Sequence, residues 1–90
     1  MNFTNIVRLK RPITFAELEQ HCRKTCETLI WLNVETGNDE IITISEPEFQ
    51  VAVLTREDDG AAVNVTHTGG FFLNTLAGLI EKEGCELTIE

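Results

Sequence analysis

Tyrosine is absent from this chain of 90 residues, and serine occurs once, at Ser45. With one serine and no tyrosine, a serine or tyrosine active site has little to be built on, and no titratable pair stands where burial would shift it. Asp58 and Asp59 are adjacent acids, but they sit in turn chemistry and read as solvated. The expectation is that the chain is not an enzyme. Nowhere does an apolar run approach the roughly 20 residues of a membrane span, so no membrane partner is expected. The stretch from Met1 to Arg11 holds no apolar run suited to a signal peptide, and the chain is expected in a cytoplasm. Glycine and proline are sparse, at six and two, while apolar residues make up 42%. That balance describes a globular chain rather than a disordered one, and residues 1–90 are read as one domain.

Basic residues are also scarce. Seven face fifteen acids, for a net charge of −8. Residues 1–26 hold five of the bases and only two acids, whereas residues 27–90 carry thirteen acids and two bases. A field of this sign repels a phosphate backbone, so direct nucleic-acid binding is not expected. It attracts a basic protein surface, including one that ordinarily holds nucleic acid.

What is present patterns clearly. Phe3–Leu9 reads as a strand, interrupted by Pro12. Thr14 and Glu17 have capping-box spacing, and Phe15, Leu18, Cys22, Cys26 and Leu29 trace one stripe of a helix. Leu29–Val34 is apolar on both faces and reads as a central strand; Ile41–Ser45 follows a Thr36–Asp39 turn to make a hairpin. Phe49–Thr55 and Ala61–His67 are two further strands around Asp58-Asp59-Gly60. Gly69-Gly70 opens a second helix through Glu83, Gly84 stands at its stop, and Cys85–Glu90 alternates as a last short strand. The order β-α-β-β-β-β-α-β implies an α+β two-layer sandwich. Its sheet is mainly antiparallel, of five to six strands, with both helices on one face, close to a split βαβ with an extra hairpin. The opening strand, helix and strand suggest a right-handed crossover. Regulatory ligand-binding domains can share this order, an analogy of fold alone.

Candidate sites are weighed against plain structural roles. His21, Cys22 and Cys26 share two turns of one helix, and Cys85 and His67 could complete a zinc site. The thiols, however, fall on apolar positions, where cysteine packs as a small hydrophobe, so no metal and no cofactor are expected. His67, Thr68, Gly69 and Gly70 pass from strand to helix and could offer amides to an anion, without the spacing of a phosphate loop. Glu57, Asp58 and Asp59 form the densest of three acidic turns; the others hold Asp39 with Glu40 and Glu46 with Glu48. Because alternate turns lie at opposite sheet ends, these three need not share a patch. Alternation places Trp31 and Leu29 on the sheet face away from the helices, joined by Ile41. Such a patch is expected to be closed by a partner or by a second copy of the chain as a homodimer.

These features favour a non-enzymatic protein–protein interaction module, a small acidic inhibitor or regulator of a basic partner. Immunity proteins, antitoxins and phage-encoded inhibitors are of this kind, some as nucleic-acid mimics. The alternative is a small-metabolite-sensing or accessory regulatory domain acting as a dimer.

Overall fold

Local chemistry starts the first helix where the spacing predicts. In the computed structural model, which describes residues 2–29 and 32–90, Thr14 Oγ1 accepts from the Glu17 amide at 3.1 Å. Glu17 Oε1 accepts from the Thr14 amide at 3.0 Å in return, satisfying two orphan donors reciprocally. The bond donated by the Thr14 amide, with the Thr14 side chain beside it, holds the Glu17 carboxyl below the usual carboxylate range. From this cap runs α1 (Phe15–Thr28), between β1 (Phe3–Leu9) and β2 (Asn33–Thr36). Next come β3 (Ile41–Glu46), β4 (Phe49–Glu57), β5 (Ala62–His67), α2 (Gly70–Lys82) and β6 (Leu87–Ile89).

The six strands form one antiparallel sheet in the order β2-β3-β4-β5-β1-β6. Since β1 is antiparallel to both β5 and β6, those two run parallel with β1 between them, and α2 connects them. This is the split βαβ unit, and β2, β3 and β4 extend it. The α1 connection is a crossover of longer reach. β1 and β2 also run parallel, but β5, β4 and β3 lie between them, so α1 crosses the sheet to its far edge.

Both helices bury their stripes against one sheet face. Val7, Ile42, Ile44, Leu54, Val63 and Val65 alternate inward and meet Leu18 and Cys22 of α1 and Phe72, Leu76 and Ile80 of α2. Each fully buried aliphatic or aromatic side chain contributes roughly 1.5–3 kcal/mol, so this layer dominates stability.

The expected central strand Leu29–Val34 is corrected. Leu29 ends α1, its amide bonded to the Thr25 carbonyl at 2.9 Å, and it continues the buried helical stripe. The strand begins only at Asn33 and is an edge of four residues. Apolarity on two faces therefore reflects a helix end followed by an edge strand, with Leu32 and Val34 packed at the margin of the core. Ile30 and Trp31 lie outside the described residues.

A tight lock joins the β1–α1 loop to the β4–β5 turn. The Ile13 amide donates to the Gly60 carbonyl at 3.0 Å, and Arg56 Nη1 donates to the Ile13 carbonyl at 2.8 Å. Asp58, Asp59 and Gly60 all have positive φ, at 52°, 53° and 96°. Left-handed backbone is disfavoured by roughly 1–2 kcal/mol per ordinary residue, with Asp among the more tolerant and Gly free of the penalty. A Cβ on Gly60 would sit 2.1 Å from the Ile13 carbonyl oxygen.

Gly60→Ala is therefore expected to destabilise by about 3 kcal/mol or more, read by chemical denaturation, while Gly69→Ala, whose Cβ meets nothing, is mild. The depressed Glu17 carboxyl adds a pH term. Its stabilisation is complete above the ordinary carboxylate range and is lost as pH falls through the depressed value. Glu17→Gln keeps a capping bond without the charge. The wild-type melting temperature should therefore fall more steeply than the variant's between about pH 6 and about pH 3.

Candidate functional site

The three thiols are interior groups. Cys22, Cys26 and Cys85 are free and buried; burial drives the Cys22 thiol far above its ordinary range and pushes Cys26 up to about 11. Cys85 lies in the α2–β6 connection, its Sγ 3.7 Å from the carbonyl oxygens of Arg11 and Glu86. His21 faces Glu83, with Nε2 3.8 Å from a carboxylate oxygen, and is buried, although helical spacing places it beside the stripe. His67 stands at the end of β5, and Asn5 of the neighbouring strand holds its Nε2 at 2.7 Å. The proposed ligands are thus dispersed. Among the described residues no group of three or more His, Cys, Asp or Glu is arranged for a metal.

The same bond bears on the anion corner. The His67 ring is engaged by Asn5 and lies against Phe3, with centroids 6.0 Å apart. The Thr68 amide is also spent, donating to the Val51 carbonyl at 3.0 Å and extending the β4–β5 ladder. Gly69 caps α2 without a side-chain bond, and Gly70 opens the helix. Two of the four residues suggested for an anion therefore serve the sheet.

The acidic turns sort by sheet geometry. The β2–β3 and β4–β5 turns lie at one end, so Asp39, Glu40, Glu57, Asp58 and Asp59 border a common hollow with Arg56. Arg56 Nη2 reaches Glu40 Oε1 at 3.3 Å, and Arg8 Nη1 lies 3.8 Å from Asp58 Oδ2 while its Nε binds Glu90. Such exposed pairs are screened by solvent and leave the hollow acidic. Glu46 and Glu48 flank the β3–β4 turn at the opposite end, beside Phe49.

The apolar patch expected of Leu29, Trp31 and Ile41 is corrected in the same way. Leu29 is buried under the helices at 6% exposure. Ile41 points to the other sheet face, opposite Thr55, because Ile42 takes the inward position. The two are on opposite sides of the sheet and form no joint surface, and Trp31 lies outside the described residues.

Two features escaped the sequence reading. The open sheet face is a field of small β-branched and amide side chains: Thr43 pairs with Val53 and Val53 with Thr66, Thr55 with Asn64, and Thr4 and Ile6 with Thr66 and Asn64 on β5. Threonine at alternating strand positions was its signal, since threonine suits a pleated surface facing water. The second is an apolar end. Phe49 and Phe71 are 53% and 66% exposed and border one groove with Leu29, Leu32 and Val51. The adjacent Phe71 and Phe72 were visible as a pair; only Phe72 fits the inward stripe, and its neighbour must then point out.

Among the described residues no helix is long and apolar enough to cross a membrane. Comparisons of the chain with family models, with curated proteins and with solved structures find no match.

Native thiols should resist modification: an aromatic disulfide reagent at about pH 8 should titrate fewer than one equivalent in buffer, since the thiolate is the reactive form. In denaturant the same reagent should titrate three, the number of free cysteines. Rapid native reaction of Cys22 would overturn its place in the core.

Proposed function

We propose that this chain works by binding another protein, as a small acidic inhibitor or regulator of a partner with a basic surface. The observation that carries the reading is the acidic hollow. Five carboxylates from two separate turns border it, and the sheet register places those turns side by side. The bond from Ile13 to Gly60 and the bond from Arg56 to Ile13 fix the backbone beneath, so the charges are displayed without a further ordering cost. Pre-arranged charge of this kind steers encounter with an opposite surface and selects against like-charged ones. A nucleic-acid-handling protein offers such a basic face, and the acidic end would compete with phosphates for it. The setting proposed is a cytoplasm, where buried reduced thiols persist.

The experiment is affinity isolation from host lysate with the wild-type chain and with Glu57→Gln, Asp58→Asn and Asp59→Asn combined. Asparagine tolerates the left-handed backbone at Asp58 and Asp59, so the fold should survive. A stoichiometric partner should be retained by wild type at about 0.05 M salt, lost above about 0.5 M, and bound weakly by the variant. The melting temperature should change by less than about 3 °C, since exposed turn charges contribute little. Retention indifferent to both salt and these substitutions would count against the hollow as the contact.

A further inference from the structure

The groove at the other end of the sheet carries an inference about what such a partner presents. It opens between the start of α2, the C-terminal end of α1 and the β3–β4 turn, and encloses about 200 Å³. A cavity of about 150 Å³ admits a benzene ring, so the space is that of one large side chain. Its walls are apolar: Phe49 and Phe71 at the mouth, Leu29, Leu32 and Val51 within. An isolated exposed phenylalanine is ordinary on a protein surface, but two bordering one concavity mark a contact.

Charge decides the occupant. Glu46 lines the groove, Glu48 stands in the adjoining turn, and none of the described lining residues is basic. Arg23, which lines the neighbouring hollow beside Leu32, is held by Glu19 at 2.8 Å. A carboxylated or phosphorylated amphiphile would meet this rim unfavourably, and a second copy would bring another net −8 with another Glu46. An apolar side chain carried on a lysine- or arginine-rich segment meets the walls and the rim together.

We propose that this groove is an anchor pocket for a single aromatic or branched aliphatic side chain on a basic segment of a partner protein. The inference rests on the reading of the chain as a protein-binding module, and names a second contact, at the end of the sheet away from the acidic hollow. Buried aromatic anchors in pockets supply the largest share of binding energy at protein interfaces, while rim charges mainly steer and orient.

The test is a titration of the isotope-labelled chain with three capped hexapeptides, followed by amide chemical shifts. One has Phe-Leu between lysine pairs, one Phe-Leu between glutamate pairs, and one Ala-Ala between lysine pairs. The first should give saturable shifts centred on Phe49, Val51, Thr68 and Phe71, and the glutamate peptide should not. Phe71→Ser, exposed enough to leave the fold intact, should weaken the first peptide about tenfold, the loss typical of one aromatic contact. The inference is overturned if the groove amides stay silent, if the glutamate peptide or decanoate binds there equally well, or if groove shifts in the free chain track its own concentration. The two contacts fail separately. Lysine–alanine shifts on the acidic turns with a silent groove would sink the anchor alone, while groove shifts with silent turns would sink the hollow alone.

Discussion

The pair of hydrogen bonds joining Ile13 to Gly60 and Arg56 is the constraint on which most of this molecule turns. Ile13 is buried and immediately precedes the Thr14 cap, so its position sets the point and angle at which α1 leaves the sheet. From that angle Leu18 and Cys22 meet the inward side chains of β3, β4 and β5. On the other side the same bonds hold a turn with three successive positive φ values, a strained backbone that persists only when its surroundings over-determine it. One contact thus aims a helix and fixes the most acidic turn.

A single helical layer has a second consequence. With both helices committed to one face, the other face of a six-stranded sheet stays open, and its residues must be stable in water. Threonine meets that need while keeping the β-branched shape that strands favour, Asn64 adds an amide, and Ile6, Ile41 and Val53 are only half-buried among them. The charged groups lie chiefly at the turns and rims. The centre of the face is neutral, with Glu35 and the Arg8–Glu90 pair at its margins and the acidic turns at its ends.

How much of this was legible in the sequence depended on the range of the signal. Thr14 with Glu17 announced a helix start because both partners lie within one turn, and the stripe through Cys22 and Cys26 announced which side is inside. The order of elements and the antiparallel sheet followed from periods and turn residues. The segment Leu29–Val34 misled because apolar residues crowd where a helix ends and a strand begins, and no period survives such a junction. That β2 becomes an edge is a matter of which strand sits beside which, and local pattern holds no record of it. The acidic turns were each visible, but their convergence depends on strand direction. The apolar groove draws on Leu29, Val51 and Phe71, residues far apart in the chain, so only the folded arrangement assembles it.

The position of β1 carries a consequence for how the chain becomes ordered. β1, which precedes the other five strands in sequence, lies between β5 and β6, pairing Phe3 with His67 and Val7 with Ile89. Both its neighbours are made later, and the bonds between Ile6 and Glu90 extend the ladder beyond β6. Contacts of such long sequence separation slow the search for the native state, because loop closure precedes their reward. Emerging from a ribosome, the β2–β3–β4 meander can pair as it appears, whereas β1 must wait with its Val7 and Leu9 unburied. The sheet is therefore zipped shut from its youngest end, and its oldest strand is among the last to find a place.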